Sequence, residues 1–145
     1  MRRPYVFAFA TSIALLVIGV LTYLYWYGAT PRTGERPNLR RGVPISIEIS
    51  VWSQPLATIT NTAEMNSIVE MLRAGRATPE HECKDRGKMV LHFADGDTTR
   101  LGFLPGHHRL RYEFRTNRGL FAVSRSQFLK ALKSGGVDGR RIPTD

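Results

Sequence analysis

The chain of 145 residues contains a single cysteine, Cys83. One cysteine excludes an intrachain disulfide and a four-cysteine zinc site, and it leaves the redox compartment open. Catalytic signatures are missing too. There is no G-x-S-x-G elbow, no H-E-x-x-H, no phosphate-cradling glycine loop and no dinucleotide fingerprint. No catalytic residue and no cofactor is therefore expected, and the chain reads as a non-enzyme. Acidic residues are scarce at one end: residues 1–44 hold six Arg and one Glu, whereas residues 45–145 hold fifteen Lys or Arg and eleven Asp or Glu. More than half of the net charge of +9 thus sits in residues 1–44. Charge is absent altogether between Arg3 and Arg32. No cysteine follows this uncharged run, which excludes a lipoprotein anchor.

What fills that gap is apolar. Residues 5–27, after a short basic tail at 1–4, are predicted to form one transmembrane helix, because some 23 helical residues span roughly 35 Å against a hydrocarbon core of about 30 Å. Tyr25, Trp26 and Tyr27 at one end, and Arg2 and Arg3 at the other, suit a membrane interface. A cleaved signal peptide fits less well, since a cut after Ala29 puts bulky Tyr27 three positions back. Arg2-Arg3 lacks the rest of a twin-arginine signal. The expectation is a single-pass signal anchor with the lipid bilayer as partner. Arg32, Arg36, Arg40 and Arg41 after the run argue for a cytoplasmic domain by simple count. Arginines directly abutting its start argue for a domain outside the cytoplasm, and that placement is the expectation here.

Residues 28–44, with three Pro and three Gly, are predicted to be a flexible basic linker. A folded domain is expected at 45–134. Ile45–Trp52 alternates as a half-buried strand, broken at Gln54-Pro55, with Leu56–Thr60 a short continuation. Asn61-x-x-Glu64 is a capping box, and Met65, Ile68, Val69 and Leu72 form one apolar helical stripe, which predicts a helix over 62–74 ended by Gly75. Residues 76–87 read as irregular. Lys88–Ala94, the Asp95-Gly96-Asp97 turn and Thr98–Leu104 make a hairpin. Pro105-Gly106 predicts a turn. Arg109–Thr116 places Leu110, Tyr112 and Phe114 on one face and Arg109, Arg111, Glu113 and Arg115 on the other. Leu120–Val123 closes the meander, and Ser124-x-x-Gln127 opens a second helix that ends at Gly135-Gly136. Residues 135–145 are expected to be a disordered tail. The whole predicts an α+β fold: the transmembrane helix, then a two-layer domain with an antiparallel sheet of about four to five strands and two helices.

Three groups carry chemistry of interest. Arg109, Arg111 and Arg115 form a row that could hold an anion or an acidic partner, with Arg100 and Arg118 as neighbours. Nucleic acid is not expected there, because Tyr112 and Phe114 face the core and cannot stack bases. His81, Cys83, His107 and His108 supply ligand types for a metal-binding or sensory domain, but no spacing among them matches a known motif, and no metal site is assigned. Asp95 and Asp97 are explained by their turn.

The strand at 45, the helix opening near Ile59-Thr60-Asn61, the phrase Leu91-His92-Phe93-Ala94-Asp95-Gly96 in the meander and the closing helix together resemble bacterial membrane-tethered proteins and lipoproteins of unknown function. The resemblance spans residues 45–134. It implies a fold type and no activity, and it carries no functional residue onto this chain. The lipid-attachment cysteine of the lipoprotein forms is missing here. The functional expectation is a membrane-anchored binding or interaction module whose partner is another membrane or envelope protein. A cytoplasmic, lipid-apposed adaptor is the other arrangement of the same parts.

Overall fold

A computed structural model of the chain describes residues 4–29 and 32–142, with side chains described except at 4–12, 26–29, 105–108 and 141. The chain divides into two compact units, Met1–Thr30 and Pro31–Asp145.

The first unit holds helix α1, Pro4–Ala29. The transmembrane expectation is corrected here: among the described residues no helix is long and apolar enough to cross a membrane. The side chains described on α1 run from residue 13 to 25 and are all exposed. The single-pass, signal-anchor reading falls with it, and so does the extracytoplasmic placement built on that reading. Of the expected interface residues, Tyr25 is exposed, whereas Arg2, Arg3 and the side chains of Trp26 and Tyr27 lie outside the described residues.

The second unit is α+β. Its strands are β1 (Ser46–Val51), β2 (Gln54–Ile59), β3 (Arg76–Thr78), β4 (Gly87–His92), β5 (Thr98–His108), β6 (Arg111–Thr116) and β7 (Gly119–Ser124). They form one antiparallel sheet in the order β2-β1-β4-β5-β6-β7-β3. Helices α2 (Thr62–Ala74) and α3 (Arg125–Ser134) complete it. The expected four to five strands become seven among the described residues, while the two helices expected for this unit are α2 and α3.

Both helices of this unit start as their sequences dictate. The Asn61 side chain accepts from the Ala63 and Glu64 amides, and Ser124 accepts from Gln127. Each such cap satisfies amides that have no partner inside the helix. The apolar stripe of α2 then packs with Phe128, Ala131 and Leu132 of α3 against one face of the sheet. Phe103, Tyr112, Phe114 and Phe128 form the centre, their ring centroids 5.1–5.6 Å apart.

Four local expectations change. The β1–β2 turn falls at Trp52-Ser53, both in the left-handed region at φ +52° and +62°. Two-residue hairpin loops need that conformation and usually advertise it with Asn-Gly; this one does not, so Gln54-Pro55 looked like the break. Pro105-Gly106 lies inside β5, where the register shifts between Leu104 and His108, and the turn comes at Arg109-Leu110 instead. Leu110 is consequently 74% exposed rather than in the core. Finally, the expected disordered tail is packed: Val137 and Ile142 are buried in the core, around a short 3-10 turn at Gly139–Arg141. Two apolar residues in a polar stretch carry no period, so only the presence of a receiving surface reveals them. Residues 143–145 of that expected tail lie outside the described residues.

Two irregular segments position everything of functional interest. Residues 79–86 join β3 to β4 and must cross β7, β6 and β5 to do so. Four strand spacings of about 4.8 Å make roughly 19 Å, which eight extended residues reach comfortably. This outer strap lies over the sheet face opposite the helices. On that face Leu104, Glu113 and Leu120 are 1–4% exposed, and none of the three belongs to the helix-side core. Its fit is close: a Cβ built on Gly102 would stand 1.9 Å from Asp85 Oδ2.

The other segment is the expected flexible linker, which from residue 34 onward makes contacts with the domain. The Gly34 amide donates to the Ala77 carbonyl at 2.8 Å, and the Ala77 amide donates to the Glu35 carbonyl at 2.7 Å, so the segment pairs along the free edge of β3. It then crosses to the other end of the sheet. The Arg73 guanidinium, at the end of α2, donates to the carbonyls of Arg40 and Gly42, each at 3.0 Å. Leu39 packs against the core, and Ile45 donates to His92 at 2.8 Å. We call residues 34–44 the end strap.

Candidate anion-binding site

The arginine row does not survive as a row. Arg109 sits in the β5–β6 turn rather than on a strand. Arg111 is half exposed and 3.8 Å from Glu113. Arg115 is occupied by the outer strap: its guanidinium binds Asp85 at 3.0 Å, approaches Glu80 at 3.6 Å, and donates to the carbonyls of Cys83 at 2.7 Å and His81 at 3.4 Å. A guanidinium is a planar fork with five donors, so one side chain can satisfy several acceptors of a passing loop. An acidic ligand for this strand face is therefore present already, and it is part of the same chain.

His81 is likewise taken up. Its Nε2 lies 2.7 Å from Oε2 of Glu113, whose carboxylate is buried. The Cys83 carbonyl serves Arg115. The side chains of His107 and His108, in β5, lie outside the described residues. Among the described residues no group of three His, Cys, Asp or Glu side chains could hold a metal ion.

A basic cleft forms elsewhere, between the end strap and the end of the sheet where β5 and β7 begin. It has a volume of about 900 Å3. One wall is residues 35–41 of the strap; the other is Thr98 to Leu101 of β5 with the β6–β7 turn, Thr116 to Phe121. Five arginines line it, Arg36, Arg40, Arg41, Arg100 and Arg118, against one acid, Glu35. Arg40 is neutralised. Its guanidinium forks across the β4–β5 turn to Asp95 and to Asp97, the latter at 2.7 Å, and lies 4.6 Å over the ring of Phe93. The hydrogen bond from Arg40, with help from the Asp97 amide, holds the Asp95 carboxyl below the usual aspartate range. Arg36, Arg41 and Arg100 have no carboxylate partner among the described residues. A cleft walled by one sign of charge focuses the field and raises the local concentration of anions.

Sequence reasoning named Arg100 and Arg118 only as neighbours of the row, and assigned Arg36, Arg40 and Arg41 to a linker. One signal was available. Asp95 and Asp97 in an exposed turn were explained by turn geometry alone, although a paired acidic turn is also a receptor for an arginine.

A second cavity of about 760 Å3 lies on the bare half of the outer face, beside β1, β2 and β4. Trp52, 59% exposed on its left-handed turn, stands at its rim with Arg86 5.2 Å over the ring. Its charges are mixed: Glu48 and Asp85 face Arg86 and Lys88. Of the two cavities, the end cleft therefore has the clearer chemical demand. Comparison with protein-family models, with curated proteins and with solved structures finds no match to this chain.

Proposed function

We propose that the protein is a binding domain that takes a small, multiply charged oxyanion, of the phosphate or polycarboxylate kind, in the cleft under the end strap. The observation that carries this is the uncompensated set Arg36, Arg41 and Arg100 around one cavity. Guanidinium groups match such oxygens with paired, charge-assisted hydrogen bonds. The cavity of about 900 Å3 lies in the range of small-molecule sites, about 300–1,000 Å3. Threonine and asparagine side chains in the wall, Thr98, Thr99 and Asn117, add neutral donors. A nucleophile–base pair with an orienting third group has no counterpart there, which favours recognition over catalysis.

Calorimetric titration of the full chain with tripolyphosphate and, separately, with citrate tests the reading and separates phosphate from carboxylate. Saturable binding is expected at low salt. It should weaken at least about tenfold, equivalent to about 1.4 kcal/mol, in Arg36→Ala and in Arg100→Ala. Lys130→Ala, on the exposed side of α3, should leave it unchanged. Binding should also fade as salt rises, since the Debye length shrinks from about 10 Å at 0.1 M to about 3 Å at 1 M. Absence of saturable binding by either anion, or an equal loss in Lys130→Ala, overturns the reading.

A further inference from the structure

The two walls of the cleft belong to different parts of the chain. Arg36 and Arg41 ride on the end strap, and Arg100 and Arg118 belong to the sheet and its turn. Like charges on facing walls repel, so the empty cleft pushes the strap away from the sheet. What holds the strap against that push is a small set of contacts at its two ends. At one end it is the pair of backbone hydrogen bonds through Ala77 and the bond from Arg76 to the Gly34 carbonyl. At the other it is the Arg40 clamp on Asp95 and Asp97, the Arg73 bonds and the contact of Leu39. Between these anchors, Arg36 to Asn38 span the cleft with no backbone hydrogen bond to the sheet among the described residues.

Resting on the anion-binding reading, we infer that the bound oxyanion is a staple: it converts repulsion between strap and sheet into attraction, so that docking of residues 34–44 is coupled to ligand. These residues also lie on the connection that leads from α1 into the β domain. The coupling follows from linkage. A ligand that needs both walls binds only the docked strap, and at one hundred times its dissociation constant it lowers the undocked population by about a hundredfold. Arg40 and its two aspartates act as positioning residues, because they set the docked population before ligand arrives.

The amides of Gly34 and Ala77 report docking directly, since each donates across the strap–β3 contact. Hydrogen exchange of the full chain should show their protection rising by up to about a hundredfold with tripolyphosphate at one hundred times its dissociation constant. Amides of the β1–β4 ladder should not change. In Asp95→Asn the protection of Gly34 should fall without ligand and be restored by tripolyphosphate. Calorimetric binding with unchanged protection at Gly34 and Ala77 overturns the staple and leaves the anion site standing. A uniform rise across the whole sheet also overturns it, because that is global stabilisation. No calorimetric binding removes the underlying reading itself.

Discussion

The outer strap and the end strap are built alike and end up chemically opposite. Each is an irregular segment laid over the same sheet, and each carries or meets arginine. Where the outer strap meets the sheet its charges are answered within the chain: Arg115 meets Asp85 and two carbonyls, and His81 meets the buried Glu113. The end strap answers Arg40, leaving Arg36, Arg41 and, across the cleft, Arg100 without a carboxylate among the described residues. The lesson is that a row of like charges in a sequence says little about binding. What matters is the charge remaining after the fold has made its own pairs.

The two straps should therefore differ in what breaks them. The largest contrast is expected from leucines beneath each. Leu104, 2% exposed on the sheet face that the outer strap crosses, should cost about 3 kcal/mol on replacement by alanine, within the usual range for a closed apolar site. Leu39, only partly buried on the end strap, should cost about 1 kcal/mol on the same basis. Urea unfolding of the two variants makes the comparison, and equal losses would show that the end strap is as integral as the outer one. Next in size, Arg115→Ala should destabilise by about 2 kcal/mol, because it orphans several acceptors at once while the partly exposed site admits water. Its affinity for tripolyphosphate should stay at the parent value, whereas an affinity loss as large as that of Arg100→Ala would return the ligand to the strand face.

Gly102→Ala is a finer probe. The added methyl collides with Asp85, whose carboxylate is the end of a flexible side chain, so an effect of about 1 kcal/mol is expected. The loss should vanish when Asp85→Ala is already present, a coupling that a double-mutant cycle reads. The smallest effect is local and pH-dependent. The Asp95 carboxyl is held below its ordinary value by Arg40, so its contribution is fully present above about pH 4 and is lost as pH falls through the lowered value. Protection at Gly34, taken as exchange relative to the intrinsic rate at each pH, should accordingly fall on acidification below about pH 4 before that of the β1–β4 ladder responds. Simultaneous loss of both would mean that the end strap has no separate opening.

Much of the domain was legible in the residues. The capping boxes at Asn61 and Ser124, the α2 stripe and the Asp-Gly turn each draw on neighbours within a few positions. The residues 76–78 strand was not legible: three residues carry no alternation, and they become a strand only because β7 offers an edge. The packed tail at Val137 and Ile142 and the docked end strap share that cause. They are held by surfaces made of residues remote in sequence. The site followed the same rule, since all its arginines were visible but their availability was not.

By itself, then, the sequence determined an antiparallel α+β domain, its two capped helices and an excess of arginine over acid near one end. Tertiary structure alone decided which arginines are neutral. Arg40 finds Asp97 across 57 positions, and Arg115 finds Asp85 across 30. Charge pairing acts over a few ångströms and is blind to distance along the chain. Only the arrangement of the two straps on the sheet therefore leaves the arginines without a carboxylate partner, among the described residues, around a cleft at its end.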